Sequence, residues 1–429
     1  MASEQAQHTP PQPAHKSALV AECIAESLRA LPAGSLLAVR VVYTADHPAD
    51  SLTPRRRLSH FHAENTLSRR ALVLVLQDAC LVAGLEVREF VTLRIEAQGT
   101  RPPQTCMAVD CCIEKLDTSG ELAGRMPLAR ALVAGYLRSL HRYSTALNVS
   151  AAGVHLFARA QPEYLFAKSK GNAGKRILDD LNLVKWWQST LQFALEYASH
   201  GSHPSACSES AAAGGRTAVV NCIVPGSTMR DSPWFFGKND CAGSNEGVAR
   251  VRSVDWRWGL PYPLNVRAHD CVLQFPDDPI TRLLSEEHSS AWSVSSLLDM
   301  LSVSEECGSG HRTAYFSASL PLYPDTCTQA SSSASYSTAS QGHLSLEDYD
   351  KVLISLFDQE MDFSNTKSAR LSSRRLMGYL DSNFDIPAID VETAGPATTR
   401  GRTQDAKVCE LPVVNDLSTM VRKKRKATS

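Results

Sequence analysis

Between Ser35 and Glu114 four apolar runs follow one another: Ser35–Tyr43 (SLLAVRVVY), Ala71–Leu76, Glu86–Glu96 (EVREFVTLRIE) and Cys106–Glu114 (CMAVDCCIE). They are rich in Val, Leu and Ile, and they read as strands. A strand needs partners for its backbone N–H and C=O groups, so these runs commit the chain to a sheet. After them the spacing changes. Leu128–Leu140 behind Pro127, a stretch from Leu183 to Tyr197, another from Thr281, and Ala291–Leu301 all show helical periodicity. So do Leu346–Phe357, with Ser345 as cap and Asp348 at the third helical position, and Ser368–Asn383. An amphipathic helix, Ser17–Leu31, precedes the strands, and shorter apolar runs stand at Val154–Phe157 and Thr313–Leu322. This order implies an α/β fold, a mixed central sheet flanked by helices, and not a bundle or a sandwich.

The organisation follows from local composition. Residues 1–16 are polar and Pro-rich and read as a disordered N-terminus. One domain spans 17–385, with flexible insertions near 200–217 and 328–341, and 386–429 reads as a linker and basic tail. Arg422–Lys426 closes that tail as a basic block, suited to nuclear import or to an acidic partner. The balance of 44 basic against 45 acidic residues argues against a general nucleic-acid binder. No apolar run approaches a membrane span, and the chain opens without a secretory-type apolar segment. The 12 Cys are scattered without a CxxC pair, so free thiols in a reducing compartment are expected. His200, His203 and Cys207 lack zinc spacing, and no metal is expected.

Two stretches carry chemistry. In Gln274–Pro279 (QFPDDP) the carboxylates of Asp277 and Asp278 stand between two prolines, just after the apolar run Cys271–Leu273. Proline stiffens its own φ and the geometry of the residue before it. The segment reads as a rigid turn at a strand end, either a plain surface turn or one that aims two carboxylates at a ligand. The second stretch is Lys115–Gly120 (KLDTSG), then Arg125, then a helix start at Pro127. Strand, turn, arginine and helix N-terminus suit an anion, although a plain connection has the same order.

Four stretches in one order resemble a known family: KLDTSG at Lys115–Gly120; YLF at Tyr164–Phe166 with Lys175–Leu178; KWW at Lys185–Trp187; and FPDDP at Phe275–Pro279. The resemblance is to the fungal histone H3 lysine acetyltransferases of the chaperone-dependent, regulator-of-Ty1-transposition type. Their fold is similar to the acetyltransferase domain of CREB-binding protein. The resemblance implies acetyl-CoA as co-substrate, no metal, and transfer to lysines of newly made histone H3. It points to the core-domain lysine near the nucleosomal DNA entry site, in chromatin assembly and DNA-damage tolerance. It also implies a nuclear location and partners: H3–H4, an anti-silencing-type histone chaperone and a nucleosome-assembly-type chaperone, with no membrane and no direct nucleic-acid contact.

Carried over by position, the coenzyme contacts are Leu116, Asp117, Thr118, Arg125, Met126, Pro127, Leu128, Ala129, Phe157, Gln161, Arg176, Ile177, Leu178 and Trp186. Tyr164, Trp187, Asp277 and Asp278 match the lysine channel, with Asp278 in the place of the proton acceptor. The chemistry agrees, because a lysine ammonium must lose a proton before it attacks a thioester. Three departures stand out. Ile280 replaces an autoacetylated lysine, only Ser144–Val154 stands where some members carry a long basic insertion, and the arginine of the helix start is Arg130 after Ala129. Two rival readings remain: a binding module with the same fold, and a magnesium-dependent hydrolase built on Asp277 and Asp278.

Overall fold

A computed structural model describes residues 16–31, 34–49, 63–95, 104–121, 126–200, 217–231, 254–274, 279–304, 312–322 and 343–394. All lie within one compact unit, Met1–Gly395. The strands are β1 (Leu36–Tyr43), β2 (His47–Ala49), β3 (Ala63–Gln77), β4 (Cys80–Ile95), β5 (Gln104–Thr118), β6 (Ala151–Ala158), β7 (Ala218–Ile223), β8 (Val254–Trp258), β9 (Ala314–Ser319) and β10 (Ala388–Glu392). The helices are α1 (Lys16–Arg29), α2 (Leu128–Ala146), α3 (Asp180–His200), α4 (Pro279–Leu284), α5 (Val294–Val303), α6 (Leu346–Leu356) and α7 (Thr366–Asn383). The strands form one mixed sheet in the order β10-β1-β3-β4-β5-β6-β9-β7-β8, with β2 beside β3.

Both faces of the sheet are covered, which is why its central strands read as near-continuous apolar runs. On β3, Ala71, Val73 and Val75 enter a core closed by α1, α2 and α3. Leu72, Leu74 and Leu76 enter a second core under α6 and α7. A third cluster packs α4 and α5 against Ile223 and Tyr315 at the far end of the sheet.

Several elements differ from the sequence expectations. β3 and β4 are one long hairpin, closed by Asp78 (φ 50°) and Ala79 (φ 60°). Two successive left-handed residues make the tight turn that matches strand twist, normally announced by glycine, and here there is none. β5 does not stop before Lys115 but runs on to Thr118. β7 was not legible as a strand, and β10 occupies part of the expected linker, paired antiparallel with β1. Lys16, expected in the disordered N-terminus, is buried in the first turn of α1. Cys271–Leu273 is not a strand. It follows a 3-10 turn, Ala268–Asp270, and Cys271 and Val272 are buried in the third cluster. The insertions at 201–216 and 328–341 and the basic tail lie outside the described residues.

One buried carboxylate ties the first core together. Glu89 on β4 accepts from Arg69 Nε (2.7 Å), Tyr43 Oη (2.8 Å) and Tyr136 Oη (2.8 Å), and Lys16 Nζ lies 3.2 Å away. Burial by itself would raise the Glu89 pKa. The charges of Lys16 and Arg69, with the two tyrosine hydroxyls, overcome that and hold it at about 2. Burial likewise lowers Lys16 to about 8, against the pull of Glu89.

Two outcomes are expected in denaturation experiments. Ala79→Gly should stabilise the protein by about 0.5–1 kcal/mol, because glycine removes the left-handed penalty at the turn. Glu89→Gln should destabilise it by about 3–5 kcal/mol, because Lys16 and Arg69 are left buried without their counter-charge, and adding Lys16→Met should recover part of that loss. The folded pKa of Glu89 lies below its ordinary value of 4.5, so its contribution is complete above that pH. As pH falls from 4.5 toward 2, about 3 kcal/mol should be lost in wild type and not in Glu89→Gln.

Candidate active site

β5 and β6 run parallel, with Ala108–Ile113 opposite Ala151–Leu156, and α2 makes the crossover. A parallel pair of this kind leaves its crevice beyond the carboxyl ends of the strands. β9 is antiparallel to β6, β7 is antiparallel to β9, and β8 is parallel to β7. The carboxyl ends of β5, β6, β7 and β8 therefore share one edge of the sheet. Leu116–Thr118, the start of α2 and Phe157 all stand at that edge, and the chain leaves it through 159–179 to enter α3.

Asp117 fastens this edge. Its Oδ2 accepts backbone N–H bonds from Tyr164 (2.9 Å), Leu165 (3.0 Å) and Phe166 (3.3 Å). Its Oδ1 accepts from Thr118 N (2.8 Å) and from Lys175 Nζ (2.7 Å). The side chain is buried and spent on its own chain, so any coenzyme contact at this position goes through the backbone. Leu116 and Thr118 on either side are half-buried. The clamped loop also crosses β5 closely. A Cβ on Gly174 would lie 2.2 Å from Gly120 O, and Gly120 has φ +94°. Beyond Lys175 the chain emerges: Arg176 is exposed, Ile177 is 49% exposed and Leu178 is half-buried.

At the start of α2, Pro127 is the N-cap and no side chain caps the first turn. The N–H groups there favour an anion. Met126 and Ala129 are half-buried, Pro127 is exposed and Leu128 is buried. Arg130 does not join them. Its Nη2 donates to Ser189 Oγ on α3 (3.0 Å), its guanidinium stands over the Phe193 ring, and burial lowers its pKa. Arg125 lies outside the described residues.

The aromatic residues divide by role. Trp187 is 7% exposed and belongs to the first core, while Trp186 meets it edge-on with centroids 5.0 Å apart and stays half-buried. Phe157 packs on Tyr315 at 4.6 Å, against the third cluster. Tyr164 Oη donates to Arg159 O (2.5 Å) and accepts from Gln161 N (2.9 Å). Burial raises its pKa to about 12, so it is a neutral phenol at pH 7 that shapes the loop. Gln161 itself is exposed.

Asp277 and Asp278 lie outside the described residues. The described chain on either side of 275–278 is anchored at the same edge. Val272 and Ile280 are buried in one cluster with Ile223 and Tyr315, and Phe157 packs against it. Ile280 is 3% exposed, which gives an apolar side chain at that position a packing role. Tyr315 escaped the sequence reading, because strand register places it, and Lys175 was read only as part of the Lys175–Leu178 stretch, its pairing with Asp117 leaving no local signal.

The sequence model of the histone acetyltransferase KAT11-type domain matches residues 142–378. A curated protein of Aspergillus flavus, histone acetyltransferase rtt109, is 28% identical over 329 residues, covering 67% of this chain and 54% of its own length. The protein of the same name from Schizosaccharomyces pombe is 27% identical over 173 residues, covering 39% and 41%. The chain thus spans about half the length of these relatives. The crystal structure of Rtt109 from Aspergillus fumigatus superposes with a TM-score of 0.62 at 21% identity, covering 88% of this chain and 99% of that one. That likeness shows the fold.

The Asp117 clamp has a direct test in hydrogen exchange. Asp117→Asn should cost about 3 kcal/mol, since Lys175 loses its buried partner. The amides of Tyr164, Leu165 and Phe166 should exchange faster in the variant, while those of β4 keep their protection.

Proposed function

The chain belongs to the histone acetyltransferase KAT11-type family, and from that premise we propose that it transfers the acetyl group of acetyl-CoA to lysine side chains of histone H3. The observation that carries this reading is the shared sheet edge. The β5 end, the uncapped start of α2, the segment from Lys175 onward tied to Asp117, and the described residues that flank 275–278 support the reading. Coenzyme would lie along Leu116–Thr118 and the backbone of Met126–Ala129, with Arg125, Phe157, Gln161, Arg176, Ile177, Leu178 and Trp186 as further contacts. Its phosphates fit the N–H groups of the α2 start, whose N-cap supplies no side-chain acceptor.

The substrate lysine enters as an ammonium. Asp277 and Asp278 attract that cation, and Asp278 takes or relays the proton. Tyr164, and the small part of Trp187 that the first core leaves open, would wall the channel, exclude water and favour the cation. The free amine then bonds to the thioester carbonyl carbon, the carbon–sulfur bond breaks, and the coenzyme leaves as thiolate to be protonated. An ordinary aspartate is a weak base at neutral pH, so Asp278 contributes at least as much by holding the lysine in place. The preferred substrate is the core-domain lysine of newly made H3, presented as H3–H4 by an anti-silencing-type chaperone in the nucleus. A nucleosome-assembly-type chaperone is the second partner. With Ser144–Val154 in place of a long basic insertion, that second contact is the weaker one.

Mass spectrometry of H3–H4 incubated with the protein, acetyl-CoA and an anti-silencing-type chaperone tests this. Wild type should acetylate selectively. Asp278→Asn should lose about 100-fold in kcat/KM and keep its acetyl-CoA affinity in calorimetry. Trp186→Ala should weaken acetyl-CoA binding about 10-fold. Absence of both acetylation and acetyl-CoA binding in wild type would overturn the enzyme reading and leave the binding module.

A further inference from the structure

α7 carries its charges in the wrong order for its own stability. A helix favours acids in its first turn and bases in its last. α7 has Lys367 and no acid in the first turn, and no base in the last, where Asp381 sits and pairs with Arg40. Arg370 and Arg374 are exposed one turn apart, a like-charge spacing that weakens a helix. Arg375 is paired with Glu360, but Lys367, Arg370 and Arg374 form no ion pair among the described residues.

Two further features of the same face lack an internal reason. Leu371 is 60% exposed. Gly378 stands inside the helix, where glycine is unfavourable, and a Cβ added there would meet nothing within 4 Å. Lys367, Leu371, Arg374 and Gly378 recur at i, i+4, i+7 and i+11, a single stripe opposite the buried Ala369, Ser373, Leu376 and Leu380. Departures from local preference that gather on one surface mark a site kept for a partner.

We propose that the Lys367–Leu371–Arg374–Gly378 stripe of α7, flanked by Arg370, docks an acidic amphipathic helix of a partner protein. The three cations would face its carboxylates, Leu371 would enter its apolar seam, and Gly378 would let the two backbones approach closely. A nucleic-acid backbone would use the cations but has no need of Leu371 or Gly378, which is why a helix is favoured. The residues just before α7 are tied to the 159–179 loop, Phe363 N donating to Ala167 O and Asn172 Nδ2 to Phe363 O, but the stripe lies on the side of α7 opposite its buried face, and the proposal does not depend on the enzyme reading.

Fluorescence anisotropy with the full chain tests it at physiological salt. The probes are a stapled helical peptide of about 18 residues with Glu around a central Leu, its Glu→Lys counterpart, and a duplex of about 20 base pairs. Wild type should bind the acidic peptide and not the basic one. Arg374→Glu and Gly378→Ala should each weaken it about 10-fold. Both variants should melt at the same temperature as wild type or higher, and should acetylate free H3–H4 as wild type does. The readout is the difference between variants, because the basic run Arg422–Lys426 is present in all. Equal peptide binding by all three proteins would overturn the proposal. So would tighter binding of the duplex that Arg374→Glu weakens and Gly378→Ala does not.

Discussion

Burying an ionised carboxylate is costly unless several donors converge on it, and Glu89 is where this fold meets that demand. Its donors come from α1, β1, β3 and α2, so its charge is satisfied only when all four elements are in place. An apolar core tolerates small slips between helix and sheet, whereas a hydrogen-bonded charge does not. Tyr136 on α2 reaches Glu89, and Tyr143 one turn pair later meets Arg69, so the rotation of α2 about its axis is fixed from two points. The start of α2, at the shared sheet edge, inherits that position. Three residues earlier on β4, opposite the point where β5 carries Glu114 as an extra residue, Glu86 faces the other side of the sheet. There it pairs with Arg70 and Lys115, and Arg70 reaches Asp350 on α6. One strand thus pins both helical layers through two glutamates of opposite orientation.

Asp117 repeats the device with a different set of donors. Three of its bonds come from consecutive backbone N–H groups, so it acts on the course of the chain more than on side chains. The residue that holds this loop is also one that the family resemblance assigns to the coenzyme site. The two roles are compatible. The carboxylate sets the loop, and the strand backbone and neighbouring side chains remain to face the ligand.

The sequence was most legible where a local rule is strong. Ser345 caps α6 as its spacing implies, its Oγ accepting from Asp348 N, and the long helices lie where periodicity places them. It was least legible where a residue serves something distant. Asp78 and Ala79 form a left-handed turn without the usual glycine, and only the strength of the long β3–β4 ladder compensates. β10 is only five residues long and mostly exposed, with Val391 alone buried, so it resembles a linker until its partner β1 is known. Cys271–Leu273 is an apolar run of the kind a strand carries, but Cys271 and Val272 fill the small cluster with α4 and α5. At the candidate site, the division between Trp187 in the core and Trp186 half-buried depends on how α3 packs on the sheet, and the place of Tyr315 on strand register, and neither leaves a local signal.

β10 pairs with β1 through Leu36–Arg40 opposite Ala388–Glu392, and Thr393 and Ala394 bond back to Ser35 and Arg29. The first strand of the sheet is thus completed by nearly the last described residues. During synthesis β1 emerges early, and its outer edge has no strand of its own until some 350 residues later have left the ribosome. An open edge is the part of a sheet most prone to pair with another chain. A nascent chain paused between β1 and β10 therefore carries that edge open, and a frameshift that removes β10 would be felt at β1, more than three hundred residues before it.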